Sequence, residues 1–219
     1  MTEQEWLQAT DPNPMLEFIL GKASDRKLRL FSVACCRRIW NLLFDERSRK
    51  AVEVAELLAD GHPTLRQPLQ VYEAASDAAD RFCFSTPWYA AAKAAAYAVR
   101  TYPPSFENMM DSVVEGAVGG AAWAVPSERP VHPALLRDII GNLFRPFTVN
   151  PAWLSWHGGL PVSMARQMYD SRDFTDMPIL ADALEEAGCT NQEMLSHCRQ
   201  QGAVHVRGCW LIDLLLNKA

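Results

Sequence analysis

Apolar residues recur every three or four positions along most of the chain, and that spacing indicates one helix after another. In the stretch that opens at Asp25, the residues Leu28, Phe31 and Cys35 share one face, and the wide apolar stripe predicts a largely buried helix through Phe44. No stretch alternates apolar and polar residues as a half-exposed strand does. The pattern therefore predicts an all-α, multi-helix globular fold with an orthogonal or bundle-like arrangement.

Turn and cap residues mark where further helices begin and end. Asp45 suits the N-cap of a helix that Gly61 ends, and Thr86, with a proline after it, opens another. Ser105 can cap a helix that continues to about Ala124. We therefore expect the first half of the chain to consist of helices joined by short turns.

The second half of the chain contains more irregular sequence. Residues 126–133 hold three prolines and are typical of a linker, and residues 145–161 have the Trp- and Pro-rich composition of an extended loop. Thr190 and Glu193 form a capping-box pattern at the start of a helix, and the last helix is expected near 206–217.

The domain organisation follows from the apolar stripes. The N-terminal helices carry apolar faces that the C-terminal helices could cover, so we expect a single helical domain over 1–219. The proline-rich stretch permits a subdivision into N-terminal helices at 1–125 and C-terminal, Cys- and His-containing helices at 131–219.

Composition and charge narrow the classes of function. Hydrophobic residues make up 49% and charged residues 21% of the chain, which are ordinary values for a globular protein. The 21 basic residues are outnumbered by 26 acidic ones, which disfavours nucleic-acid binding because phosphates attract a surplus of Lys and Arg. The N-terminal sequence lacks the pattern of a signal peptide, and no apolar run is long enough to span a bilayer. We expect a cytoplasmic protein.

The six cysteines are expected to be reduced in that compartment, which leaves core packing, metal ligation or thiol chemistry. Cys35 and Cys36 are adjacent in a helix, so their side chains diverge by about 100° and make a poor chelating pair. The neighbouring Arg37 and Arg38 could lower a thiol pKa, but the apolar residues around them favour packing in the core.

Four stretches of the sequence are long and specific: KLRLFSVACCRRIW, RDIIGNLFRPFTVNPAWLSW, PILADALEEAGCT and HCRQQGAVHVRGCWLIDLLL. Together they resemble an uncharacterised bacterial family that recurs in planctomycete proteins. The resemblance covers both ends of the chain and is weakest in the alanine-rich middle. It implies a bacterial protein, but the family has no established activity, so no catalytic residue is carried over from it.

The segment from Cys189 to Asp213 is rich in cysteine and histidine. If the last helix extends back to His205, then His205, Cys209 and Asp213 lie at i, i+4 and i+8 and share one face. His197 from the preceding helix could supply a fourth ligand. Zinc binds cysteine, histidine and aspartate in a tetrahedron, so these four residues are a candidate zinc site, although their spacing matches no standard zinc finger.

Two other interpretations of this segment stay open. The polar residues can form the edge of a packed helix, and Gly208 can delay the start of that helix and break the alignment. Alternatively, Cys209 or Cys198 could act as a nucleophile with His205 as its base. No glycine-flanked nucleophile elbow accompanies either cysteine.

The loop at 145–161 contains a possible binding surface formed by Trp153, Trp156 and His157. The alternative is that the two tryptophans cover one end of the helical core, because tryptophan is highly buried on average. Since no recognisable active-site motif is present, we favour a non-catalytic protein-interaction or regulatory module with a protein partner. The alternative function is a metal- or thiol-dependent enzyme that uses the Cys189–Asp213 cluster.

Overall fold

The computed structural model describes residues 1–62, 68–101 and 110–218. Over those residues it contains thirteen α-helices, three short 3-10 helices and no strand, which confirms the predicted all-α fold. The α-helices are α1 (Glu3–Gln8), α2 (Pro12–Ile19), α3 (Asp25–Arg38), α4 (Glu46–Ala59), α5 (Pro68–Ala79), α6 (Pro87–Val99), α7 (Met110–Ala124), α8 (His132–Ile140), α9 (Pro151–Ser155), α10 (Leu160–Ser171), α11 (Met177–Glu186), α12 (Gln192–Arg199) and α13 (Trp210–Leu215). The 3-10 helices are Trp40–Leu42, Pro126–Val131 and Trp156–Gly158.

The chain divides into two compact units, Met1–Leu136 and Arg137–Ala219. The division falls inside α8, a few residues beyond the predicted proline-rich linker. That stretch is itself helical: Pro126 lies in the first turn of the 3-10 helix Pro126–Val131, where proline is tolerated, Pro130 lies inside it, and this helix leads directly into α8. The single-domain interpretation stays a prediction. Among the described residues, no helix combines the length and the apolar character needed to cross a bilayer.

The first unit is built around α3, α4, α5, α6 and α7, which pack against one another. The predicted buried helix is α3, capped by Ser24, and its apolar face is buried. It ends at Arg38, earlier than expected, and a 3-10 turn connects it to the N-cap residue Asp45. The caps predicted at Asp45 and Thr86 are confirmed, since each side chain accepts a backbone hydrogen bond. The predicted cap Ser105 lies outside the described residues.

Helices α6 and α7 approach each other closely because the residues between them are small. Alanine side chains of α6 are buried along most of its length. A Cβ atom added at Gly116 of α7 would lie 2.4 Å from the Tyr97 ring, and one at Gly120 would lie 3.0 Å from the Ala90 carbonyl oxygen. The close packing of the two helices therefore explains why glycine occurs at both positions.

The second unit contains a separate hydrophobic core, to which α10, α11, α12 and α13 contribute. The loop predicted at 145–161 is partly helical, because Asn150 caps α9 with a 3.0 Å hydrogen bond from the Ala152 backbone N–H. Asn191, not Thr190, caps α12: its side chain accepts hydrogen bonds from the N–H groups of Glu193 and Met194. The predicted cap was one residue too early, and the predicted capping box is not formed, because the third residue of α12 is Met194 and not Glu193.

Candidate metal centre

Four polar side chains meet in the interior of the second unit. They come from three places in the chain: Asp138 from α8, His197 from α12, and His205 and Cys209 from the segment that leads into α13. One ligand atom from each residue takes part, and these four atoms all lie within 4.8 Å of one another. The group therefore contains one carboxylate oxygen, two imidazole nitrogens and one sulfur.

The contacts inside this group run through Asp138 and His197. The Oδ1 atom of Asp138 lies 2.7 Å from Nδ1 of His205 and 3.4 Å from Nε2 of His197. The same Nε2 atom of His197 lies 3.2 Å from Sγ of Cys209. The two imidazole rings meet edge to face, with their centroids 4.8 Å apart. The four groups thus form one continuous cluster.

The backbone of the segment before α13 holds Asp138 in place. The Val206 N–H donates a hydrogen bond of 2.9 Å to Oδ2 of Asp138, while His205 contacts the other oxygen. One carboxylate therefore binds two successive residues of a segment that has no helix or strand of its own. Asp138 fixes the course of this segment as well as contributing a ligand atom.

The helical alignment expected for His205, Cys209 and Asp213 is not formed. Helix α13 begins at Trp210, because Gly208 adopts a left-handed conformation with φ of +97° and turns the chain. Cys209 is the N-cap residue of α13, and Asp213 is buried within that helix and is not a member of the four-residue group. The turn, rather than a shared helix face, brings His205 and Cys209 together.

Asp138 takes the position in the group that was expected for Asp213. It was missed because it lies in a helix far from the Cys- and His-rich segment, and no local spacing connects the two. One signal was present: Asp138 lies three residues after the buried Leu135, so the two side chains share a face of α8. A carboxylate on a buried face requires a partner.

The group is shielded from solvent. Cys209 is fully buried, Asp138 is 4% exposed, and the His197 side chain is the most accessible at 15%. The Trp210 ring lies 5.0 Å from the His197 ring and stacks on Phe147 at 4.4 Å, so it covers one side of the group. These aromatic contacts limit the access of water and larger molecules.

Burial also decides which protonation states the group adopts. Burial lowers the pKa of His197 to about 4, although the nearby Asp138 carboxylate acts in the opposite direction. Burial, together with Asp138, raises the pKa of the Cys209 thiol well above its usual range. His197 is therefore a neutral imidazole at pH 7, which is the form that binds metals, and the Cys209 thiolate requires a nearby cation.

The remaining cysteines do not share this environment. Cys198 is the residue after His197, but it is buried outside the group, and burial raises the pKa of its thiol to about 12. Cys35 and Cys36 are also fully buried, and their pKa values are raised by the same cause. Neither cysteine of the α3 pair belongs to the metal-ligand group. Both lie in the core of the first unit, which confirms the prediction that they pack in the core.

The three residues of the predicted binding surface lie at different depths. Trp153 is 9% exposed and belongs to the core of the second unit. Trp156 is half-buried, and its ring lies 4.1 Å from the ring of the exposed His157. His157 has φ of +46°, an uncommon conformation for a residue other than glycine. Only Trp156 and His157 are accessible enough to contact a partner, and their role stays a prediction.

Comparison with known proteins gives no match: no family model, no curated protein and no solved structure is similar to this chain. The resemblance to a planctomycete family therefore stays an expectation from the sequence.

Proposed function

We propose that the second unit binds one zinc ion through Asp138, His197, His205 and Cys209, and that the protein is a non-catalytic module whose C-terminal unit this ion stabilises. The observation that carries the proposal is the convergence of these four ligand atoms, from separate parts of the chain, within 4.8 Å of one another. Buried polar groups normally occur where they are paired, and a metal would pair all four at once.

The donor set favours zinc over the common alternatives. Magnesium and calcium prefer sites made of oxygen atoms, whereas zinc accepts sulfur, nitrogen and oxygen in one tetrahedron. Zinc–ligand bonds of about 2.0–2.3 Å place neighbouring ligand atoms about 3.3–3.8 Å apart. The contacts of His197 with Asp138 and Cys209, at 3.4 and 3.2 Å, already approach this spacing. The 2.7 Å contact between Asp138 and His205 would have to lengthen.

Charge balance supports the same conclusion. A zinc ion carries two positive charges, and the Asp138 carboxylate with a Cys209 thiolate would supply two negative ones. The neutral imidazoles complete the coordination without adding charge, so the buried site would be electrically neutral. The ion would also stabilise the thiolate that burial otherwise disfavours, because a coordinated thiol loses its proton.

A structural role for the ion follows from the number of ligands. Four protein ligands fill a tetrahedral zinc ion, whereas catalytic zinc keeps one position for water or substrate. The ion would link α8, α12 and the segment before α13, and would so stabilise the second unit. A thiol-dependent enzyme is less favoured, because Cys209 is fully buried and the pKa of its thiol is raised. We further propose that this unit serves to bind a protein partner.

Zinc content tests the proposal directly. The full chain, purified without a metal-affinity tag, is analysed for metals alongside the Cys209→Ala and Cys198→Ala variants. Cys198 is the matched control, since it is buried in the same core but does not belong to the four-residue group. We expect about one zinc per chain in the wild type and in Cys198→Ala, and a strong loss in Cys209→Ala. A wild-type protein that takes up no zinc even when zinc is supplied would refute the proposal.

The partner is tested separately by affinity capture from native lysate, followed by size-exclusion chromatography of the recovered complex. A stoichiometric protein complex that depends on Trp156 or His157 would support an interaction module. Recovery of the chain alone would count against this part of the proposal and would leave the zinc site standing.

A further inference from the structure

The first unit contains a cleft of about 570 Å³ between α5, α6 and α7, remote in sequence from the metal centre. This volume lies in the range of small-molecule sites. We propose that the cleft binds a flat aromatic acid, a ligand with one or two fused rings and a carboxylate. The inference does not depend on zinc, because all the residues that carry it belong to Met1–Leu136.

The walls of the cleft are aromatic on all three helices. Tyr72 comes from α5, Tyr89 and Tyr97 from α6, and Trp123 from α7. Trp123 is 52% exposed, which is high for so large an apolar side chain. Aromatic side chains pack against flat rings in offset or edge-to-face geometries, so these walls favour a planar ligand over an aliphatic one.

Lys93 supplies the positive charge of the cleft. It lies between Tyr89 and Tyr97 at four-residue spacing, so the three side chains share one face of α6. Its Nζ atom lies 2.9 Å from Asp80 Oδ1 and 5.6 Å from the centre of the Tyr89 ring. The Lys93 and Asp80 side chains are 24% and 62% exposed, and an ion pair with one partner largely in solvent is weak, so a carboxylate ligand can share or replace this contact.

Gly119 lines the cleft at a position where the surrounding atoms leave room for a side chain. Glycine in a helix interior is destabilising relative to alanine. At Gly116 and Gly120, close packing of α6 against α7 leaves no room for a side chain. A Cβ atom at Gly119, which also lines the cleft, would meet no atom within 4 Å. The packing of the described residues gives no reason for glycine here, whereas a large side chain at this position would reduce the space for a ligand.

The charge decides between an aromatic acid and a neutral aromatic ligand. A neutral ring would use the walls but not the Lys93 ammonium, which has three donors and one hydrogen-bonded partner, Asp80, in the part of the chain that the structure describes. A carboxylate attached to the ring would use both features together. We therefore assign the acid rather than the neutral ring to this cleft.

Isothermal titration calorimetry with 2-naphthoate and its uncharged amide, 2-naphthamide, tests the assignment. The proteins are the full-length wild type, Lys93→Gln, Gly119→Leu and, as control, Lys50→Gln, whose lysine is exposed and pairs with Glu53 on α4. Circular dichroism first establishes that each variant is folded. We expect the wild type and Lys50→Gln to bind 2-naphthoate at least about tenfold more tightly than the amide.

The two cleft variants should respond differently. Lys93→Gln should remove the preference for the acid and leave weak binding of both probes, and Gly119→Leu should weaken both by about tenfold or more. The inference is overturned if the wild type binds neither probe, if it binds both equally, or if folded Gly119→Leu binds 2-naphthoate as the wild type does. None of these outcomes depends on the zinc content of the second unit.

Discussion

The two units of the molecule each bury a carboxylate and a cysteine, but they place different side chains around them. In the first unit, Cys35 and Cys36 lie in the core, and the buried Glu56 pairs with Arg37 at 2.8 Å. In the second unit, the buried Asp138 meets imidazole nitrogens, and Cys209 lies against one of those imidazoles. The first unit thus pairs Glu56 with a guanidinium, whereas the second unit surrounds Asp138 with side chains of the types that can bind a metal. Burial alone indicates only that a cysteine packs in a core. The side chains around the cysteine indicate whether it could also bind a metal.

The largest expected effect separates the cysteines of the two units. Cys209→Ala should remove a zinc ligand and destabilise the second unit by several kcal/mol, roughly 3 or more, because binding of a structural metal contributes directly to folding. Cys36→Ala should cost only about 1–2 kcal/mol, as removal of a small buried side chain does, with zinc content unchanged. Hydrogen exchange of α12 and α13 in both variants, measured by mass spectrometry, checks the difference. Equal hydrogen-exchange rates of α12 and α13 in the two variants would contradict the expected difference between Cys209 and Cys36.

Acid should destabilise the first unit through His132. This ring is fully buried and edge-on to Phe31, and burial lowers its pKa from 6.5 to about 4. The unfolded chain therefore binds a proton at higher pH than the folded one, and stability is lost as pH falls from about 6.5 to 4. The loss reaches at most about 3 kcal/mol. It is opposed in part by Glu128, while Arg38 and Arg129 act with the burial.

Urea unfolding of the wild type and His132→Phe at pH 7 and pH 4.5 measures this contribution. The variant keeps an aromatic edge against Phe31 and removes the titrating group, so it should lose less stability in acid than the wild type. The comparison cancels the other titrating groups, including those near the metal centre. An equal loss in both proteins would show that His132 does not titrate in this range.

Gly116→Ala should destabilise the first unit by about 1–3 kcal/mol, because overpacking of a close helix contact forces neighbours to move. The added Cβ atom would lie 2.4 Å from the Tyr97 ring. Thermal unfolding followed by circular dichroism measures the effect. Unchanged stability would mean that α6 and α7 separate at little cost.

Gly119→Ala is the opposite case on the same helix and the smallest expected effect. The new Cβ atom meets nothing within 4 Å, and alanine is a better helix former, so stability should rise by up to about 1 kcal/mol. The same thermal unfolding experiment serves for both substitutions. A loss of stability would mean that glycine at position 119 is required for packing.

The fold class could be predicted because hydrophobic periodicity is a local signal, and so could caps such as Asp45 and Thr86. The start of the last helix could not, because the left-handed turn at Gly208 competes with the apolar pattern around it. His197, His205 and Cys209 were grouped as candidate ligands because they lie close together in sequence. Asp138 was not, since its contact with His205 joins residues that are distant in the chain, and only the packing of α8 determines it.

The proposed zinc site can be tested by identifying the atoms that surround the metal. X-ray absorption spectroscopy of the zinc-loaded protein measures the number and type of atoms around the metal. We expect four ligands, one sulfur from Cys209 and three nitrogen or oxygen atoms from His197, His205 and Asp138, with the sulfur lost in Cys209→Ala. Zinc bound without sulfur in the wild type, or with two or more sulfur atoms, would contradict the proposed site.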